Sequence, residues 1–149
     1  MFTALLLALV VGMGSIVLLY ARRNLRFEPY RRRFTVVGAL LVAASATLVV
    51  AENLLVLAAA WVATSVLTVA LIETGPADGT VRRAVRARRS FAVGDVAVVV
   101  AAGALVASSG STSLASVDQA GPIALAVAGV LLVVAAAARC ASGPFVRWL

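Results

Sequence analysis

The chain has 149 residues, of which 63% are hydrophobic and only 13% charged, and its mean hydropathy is +1.08. A soluble domain usually has about a quarter charged residues, so the composition predicts a membrane protein that contacts the lipid bilayer. Because there is no histidine and a single cysteine, Cys140, haem, iron–sulfur and structural zinc sites, a Ser-His-Asp triad and an intrachain disulfide are excluded.

Five apolar stretches follow one another along the chain, and each approaches the roughly 20 residues that a membrane span needs. They cover residues 2–20, 34–51, 54–72, 91–107 and 122–138. They predict an all-α, polytopic transmembrane bundle of about five helices, with residues 1–149 as a single transmembrane domain. After the last stretch comes Gly143-Pro144, which predicts that the final helix is broken there, as helices are at many transporter ion sites.

All basic residues are arginines, and they are distributed unevenly between the connections. Residues 21–33 contain six and residues 73–90 contain five, whereas the Glu52-Asn53 hinge and residues 108–121 contain none. The positive-inside rule therefore predicts cytoplasmic arginine-rich loops and an N-terminus outside. Since topology explains the arginines, the high isoelectric point does not indicate a nucleic-acid partner.

A few polar residues lie within the predicted spans. Asp95 would cost desolvation there unless it is paired or hydrated, so it either pairs with Arg88 near the interface or belongs to a proton path. The hydroxyls of Thr64, Ser65 and Thr68 either bond back to helix carbonyls or line a hydrated path. Trp61, by contrast, is predicted to be a packing residue, and Glu52 to be a solvated charge at the hinge.

Arg139 follows the last apolar stretch and has two interpretations. Seventeen residues, 122–138, make about 25 Å of helix, almost a full crossing, which favours a loop arginine on the cytoplasmic side. A membrane-buried Arg139 would instead cost about 2.5–3.5 kcal/mol on insertion scales and would need a partner or water.

Motifs in the same order occur in a known family. The chain resembles the antiporter-like membrane subunits of respiratory complex I, including the L-type subunit and the DabB-type subunits of inorganic-carbon uptake. The motifs that carry the resemblance are Tyr20-Ala21-Arg22-Arg23-Asn24-Leu25, Ala51-Glu52-Asn53-Leu54-Leu55, Ala87-Arg88-Arg89-Ser90-Phe91 with Gly94-Asp95, Gly110-Ser111-Thr112-Ser113-Leu114, and Arg139-Cys140-Ala141-Ser142-Gly143-Pro144-Phe145. The stretch Trp61-Val62-Ala63-Thr64-Ser65 is more similar to DabB-type chains, since respiratory subunits typically have glutamate after that tryptophan.

The resemblance implies a function and a site. It implies a proton- or cation-translocating subunit of the bacterial inner membrane that couples ion flow to inorganic-carbon uptake with a DabA-type partner. Arg139 would mark the broken-helix site, and Asp95, Thr64 and Ser65 would be further ion-path residues. The resemblance covers only the middle portion of a usual family member, which implies a fragment or a truncated gene product.

Two alternatives stay open beside this interpretation. One is the L-type proton-pumping subunit of an NADH–quinone oxidoreductase, whose partners would be complex I subunits and whose redox chemistry would lie elsewhere. The other is a non-conducting structural membrane subunit. Arg139 stands where the family has lysine, and arginine cannot release a proton; Val62 likewise replaces the respiratory glutamate.

Overall fold

The chain folds into an all-α bundle, as the sequence predicts. The computed structural model describes residues 1–74 and 80–140, and within these ranges it contains no β-strand. The helices are α1 (Phe2–Asn24), α2 (Arg31–Val50), α3 (Leu54–Ile72), α4 (Thr80–Ser109) and α5 (Pro122–Arg139), with a short 3₁₀ helix over Leu114–Gln119. All five α-helices are long and apolar enough to cross a bilayer, so the protein is a multi-pass membrane protein.

The start of α4 differs most from the sequence prediction. A loop is predicted up to residue 90, but the helix already begins at Thr80, so the five arginines of that predicted loop lie on α4. Arginine has high helix propensity, so a run of arginines extends a helix beyond its apolar part. The 30 residues of α4 make about 45 Å of helix, which exceeds the roughly 30 Å hydrocarbon core.

Smaller differences occur at the other helix ends. Helix α1 continues to Asn24 and α2 already begins at Arg31, so the first arginine-rich connection is shorter than the sequence predicts. The same helix propensity of arginine explains both extensions. Helix α3 has the predicted bounds, and α5 extends one residue further than predicted, to include Arg139.

Consecutive helices pack side by side along the chain: α1 on α2, α2 on α3, α3 on α4 and α4 on α5. Small residues allow close approach in lipid, and Gly38 and Gly94 show this directly. A Cβ on Gly38 would lie 2.7 Å from Leu18 Cδ2, and one on Gly94 would lie 3.2 Å from the Ala135 carbonyl oxygen. The main apolar core lies between α3, α4 and α5 and includes Val98 and Ala135.

The connections lie at two ends of the bundle. At the hinge end, Glu52-Asn53 pairs with residues 112–114: Leu54 N donates to the Thr112 carbonyl and Leu114 N donates to the Glu52 carbonyl, each at 2.8 Å. At the arginine-rich end, formed by the α1–α2 connection, the end of α3 and the start of α4, Arg33 Nη2 lies 4.0 Å from Glu73 Oε2. The two arginine-free connections therefore share one end.

Candidate functional site

Arg139 is the last residue of α5, and its side chain turns into the bundle. Its Cζ lies 4.3 Å from the centroid of the Trp61 ring on α3 and 5.6 Å from that of Phe91 on α4. Helix side chains lean towards the helix N-terminus, and α5 starts at the hinge end, so Arg139 leans away from the arginine-rich end. The expectation that Arg139 is a loop residue, drawn from span length alone, is therefore wrong.

Three groups on α3 accept hydrogen bonds from the Arg139 guanidinium. Nη1 donates to Thr64 Oγ1 at 2.8 Å, and Nη2 donates to the Trp61 carbonyl at 3.3 Å and to Ser65 Oγ. Both hydroxyl-bearing residues are buried. Because a guanidinium presents several donors in a rigid fork, one arginine spans these acceptors at once.

Ser65 links the positive charge to a negative one. Its hydroxyl accepts from Arg139 and donates to Asp95 Oδ1 on α4 at 2.6 Å. A serine hydroxyl has one proton and two lone pairs, so it serves both charges simultaneously. We call these residues, Trp61, Thr64, Ser65, Asp95 and Arg139, the charge cluster.

The packing of α5 on α4 holds Arg139 in position. The Ser90 hydroxyl on α4 donates to the carbonyl of Ala138, one residue before Arg139, at 3.0 Å. Gly94, one turn further along α4, lies against Ala135 and Ala138. A hydrogen bond and a close helix contact therefore fix the end of α5 beside Asp95.

A groove runs between α3 and α4 from the charge cluster towards the arginine-rich end. Its volume is about 290 Å³, and its lining includes Ser65 and Asp95 at one end and Glu73 and Arg88 at the other. The side chains between these ends are apolar, among them Val69 and Phe91. The cluster therefore borders a cleft as well as the packed core.

The four site residues predicted from the sequence, Arg139, Asp95, Thr64 and Ser65, come together in this cluster. The alternative was an ion pair between Asp95 and Arg88, and the structure does not form it. In the part of the chain that the structure describes, the ion pair joins Arg33 and Glu73 instead. Arg88 is seven residues from Asp95, about 10 Å along the helix axis, whereas Ser65 is in contact with Asp95.

Two of the three hydroxyls of α3 bond back to helix carbonyls, which is one of the two alternatives that the sequence leaves open. Thr64 donates back to the Trp61 carbonyl and Thr68 to the Thr64 carbonyl, each at 2.7 Å. Ser65 does not bond back, because its hydrogen is used by Asp95. Thr64 and Ser65 thus belong to the site, while Thr68 has the ordinary bonding of a serine or threonine in an apolar helix.

Sequence reasoning missed Trp61, which was predicted to be a packing residue. Its ring and its carbonyl both contact Arg139, and its indole Nε1 is buried without a hydrogen-bond partner in the described part of the chain. The spacing offers a signal, because Trp61, Thr64 and Ser65 are related by three and four residues and therefore share one helix face.

The sequence also makes predictions about residues outside the charge cluster. Glu52 is exposed at the hinge, and residues 1–74 and 80–140 contain no group of three or more His, Cys, Asp or Glu that could hold a metal ion. The predicted break near Gly143-Pro144 lies outside the described residues. No family model matches the chain, and no curated protein matches it.

Proposed function

We propose that the chain is part of a proton- or cation-translocating subunit of the bacterial inner membrane, of the DabB type. Its ion flow would drive inorganic-carbon uptake by a DabA-type partner, and its arginine-rich end would face the cytoplasm. The observation that carries the proposal is the hydrogen-bonded chain from Arg139 through Ser65 to Asp95. Ionisable residues within membrane spans are expensive, and they mark ion pathways more often than not.

The two charged groups have different chemical abilities. Arginine stays protonated under all ordinary conditions, whereas a carboxylate can take up and release a proton. Asp95 is therefore the residue that exchanges the proton or cation. Arg139 supplies a fixed positive charge near that carboxylate, and the Ser65 hydroxyl connects the two by hydrogen bonds.

A second function, a non-conducting structural subunit, is favoured by one observation. The guanidinium of Arg139 is bound by Thr64, Ser65 and the Trp61 carbonyl, and this group cannot pass on a proton. A lysine at residue 139 could lose its proton when desolvated. The L-type respiratory subunit is the other alternative, and the genes beside this one separate it from the DabB type.

The test is a comparison of ion flux in vesicles that contain the full-length protein together with its partner subunit. We expect Asp95→Asn to abolish flux, because the only titrating group of the cluster is lost, and Arg139→Lys to increase it. Asp118→Asn, an exposed carboxylate in the α4–α5 connection, is the matched control and should conduct like the natural protein.

Each alternative has its own result. Flux that is unchanged by Asp95→Asn contradicts the assigned path. Flux that is absent in both the natural protein and Arg139→Lys indicates the structural subunit. Equal flux with arginine and with lysine shows that arginine does not impair the relay.

A further inference from the structure

Trp61 carries a polar atom that the charge cluster leaves without a partner. Its indole Nε1 is buried and forms no hydrogen bond within the described part of the chain. A buried N–H group without an acceptor costs free energy, and nearly all such groups in native proteins are satisfied. The N–H group of Trp61 therefore needs an acceptor that can reach it from close by.

Asp95 has the largest unused capacity to accept hydrogen bonds in the cluster. A carboxylate accepts about four hydrogen bonds, and among the described residues Asp95 receives the one from Ser65, at Oδ1. The hydroxyls of Thr64 and Ser65 each accept from Arg139 already and donate elsewhere, whereas a guanidinium accepts none. The carboxylate is therefore the best acceptor for the indole N–H group.

The indole and the carboxylate lie near each other, although the structure does not join them. The indole N–H group is close enough to Asp95 to interact with it, yet it forms no hydrogen bond. Trp61 and Ser65 are four residues apart on α3 and share one helix face, and Ser65 contacts Asp95 directly. Because the terminal torsion of an aspartate is broad, a small rotation of the carboxylate can bring an oxygen to the indole.

The ring of Trp61 holds the opposite charge of the cluster. Arg139 Cζ lies 4.3 Å from the ring centroid, which is a cation–π distance, and Arg139 Nη2 donates to the Trp61 carbonyl at 3.3 Å. Trp61 thus contacts Arg139 through its face and its main chain and has its N–H group available for Asp95. Because indole is uncharged, it can contact both charged groups without neutralising either.

We propose that Trp61 is a positioning residue whose indole N–H group donates to Asp95, alternating with the Ser65 hydroxyl as the carboxylate turns. When Asp95 turns from Ser65 to Trp61, it leaves the hydrogen-bonded chain to Arg139 but stays beside the same ring. The carboxylate thus keeps a donor while it exchanges a proton or cation. That role in exchange rests on the proposed function, whereas the hydrogen bond itself does not.

The test follows the indole N–H signal of Trp61 by nuclear magnetic resonance. The full-length protein is isotope-labelled at the indole nitrogen of its tryptophans, and Trp61→Phe identifies the signal by its disappearance. A hydrogen-bonded N–H proton resonates at a higher frequency than a free one, so the position of the signal measures the bond.

Two variants should move this signal in opposite directions. We expect Asp95→Ala to move it to lower frequency, because the acceptor is lost. Ser65→Ala should move it to higher frequency, because the carboxylate loses the competing donor and turns to the indole. The matched control is Asp118→Ala, an exposed carboxylate in the α4–α5 connection, which should leave the signal in place. A change in the packing of the ring does not predict opposite shifts.

The flux assay tests the positioning role. Trp61→Phe keeps an aromatic face for Arg139 and removes the N–H group. We expect it to lower flux by about tenfold, which is the order of effect of one lost hydrogen bond to a charged group. Trp61→Leu, which also loses the aromatic face, should conduct no better than Trp61→Phe.

Two results would overturn the proposal. One is an indole signal that Asp95→Ala and Ser65→Ala leave in place or move in the same direction. The other is full flux through Trp61→Phe in a protein that conducts. The signal does not depend on flux, so if it moves as expected while the natural protein conducts nothing, the hydrogen bond stands and the translocating function fails.

Discussion

At the residue scale, the unusual feature is a pair of opposite charges that share one hydroxyl. Arg139 donates to Ser65, and Ser65 donates to Asp95, while the Trp61 ring lies beneath the guanidinium. Arginine is suited to this place because its planar group forms hydrogen bonds at its edge and stacks with its face. Lysine could replace the charge but not this set of contacts.

The first prediction concerns the energetic coupling of the two charges. Asp95→Asn removes the negative charge and leaves Arg139 inside the bundle without its counter-charge. Removing one partner of a fully buried pair costs about 3–5 kcal/mol, and because both side chains here are only partly buried we expect about 2 kcal/mol. The free energy of unfolding, measured by titration with a denaturing detergent in mixed micelles, gives this value.

The double variant Asp95→Asn/Arg139→Gln tests the origin of that cost. It should be more stable than Asp95→Asn alone, because no unpaired charge then remains, and the two substitutions should be non-additive by about 1 kcal/mol or more. Additive effects would mean that the charges do not interact through Ser65.

At the element scale, glycine decides how closely α5 approaches α4. A Cβ on Gly94 would lie 3.2 Å from the Ala135 carbonyl oxygen and 3.5 Å from Ala138 Cβ, whereas a Cβ on Gly103, nine residues further along α4, has nothing within 4 Å. The two glycines therefore form a matched pair on one helix.

The second prediction follows from that pair. Gly94→Leu should lower the free energy of unfolding by about 1–3 kcal/mol, because the side chain must push α5 away from α4. Since Arg139 lies at the end of α5, the same change should also disturb the charge cluster and reduce flux. Gly103→Leu should leave both properties close to those of the natural protein, and a comparable loss in this control would refute the explanation.

The third prediction concerns the start of α3, where Asn53 has two tasks. Its Oδ1 accepts from Leu55 N at 2.9 Å, which caps the helix, and its Nδ2 donates to Thr112 Oγ1 at 2.9 Å. Asn53→Ala should cost about 1–2 kcal/mol of unfolding free energy through loss of the cap and of that bond.

Thr112→Val separates the two tasks, because it removes the hydroxyl that accepts from Asn53 Nδ2 and leaves the asparagine cap of α3 in place. We expect it to lie between Asn53→Ala and the natural protein in thermal unfolding measurements. If it is as unstable as Asn53→Ala, the bond to Thr112 rather than the cap accounts for the stability.

The helices were largely predictable, but their facing sides were not. The apolar stretches predicted five spans, and the bounds of α3 agree with the structure, because apolar length alone determines a span. Helix α3 is apolar on all sides except for a few hydroxyls, so no periodic pattern indicates which face meets α4. The three-dimensional arrangement was therefore needed to show that Trp61, Thr64 and Ser65 all contact Arg139.

At the scale of the whole molecule, consecutive packing of the helices leaves α3 and α5 on either side of α4. The two are joined by the side chain of Arg139, which reaches α3 from the end of α5. The hinge end is tied separately by the pairing of Asn53 with Ser113. The bundle is thus held by main-chain pairing at one end and by charged side chains in its interior.

The last prediction concerns the orientation of this whole arrangement in the membrane. The arginines of the α1–α2 connection and of the start of α4 lie at one end, and the arginine-free connections meet at the other. Because positively charged short loops are retained in the cytoplasm, the hinge end should face outside.

In the Cys140→Ser background, Ser111→Cys should react with an impermeant thiol reagent added to intact cells, and Asn24→Cys should react only after the cells are opened. Asn24 is exposed at the end of α1, and Ser111 lies in the α4–α5 connection. If Ser111→Cys is labelled only from the cytoplasm, the bundle is inverted, and the groove that ends at Asp95 would then open to the outside.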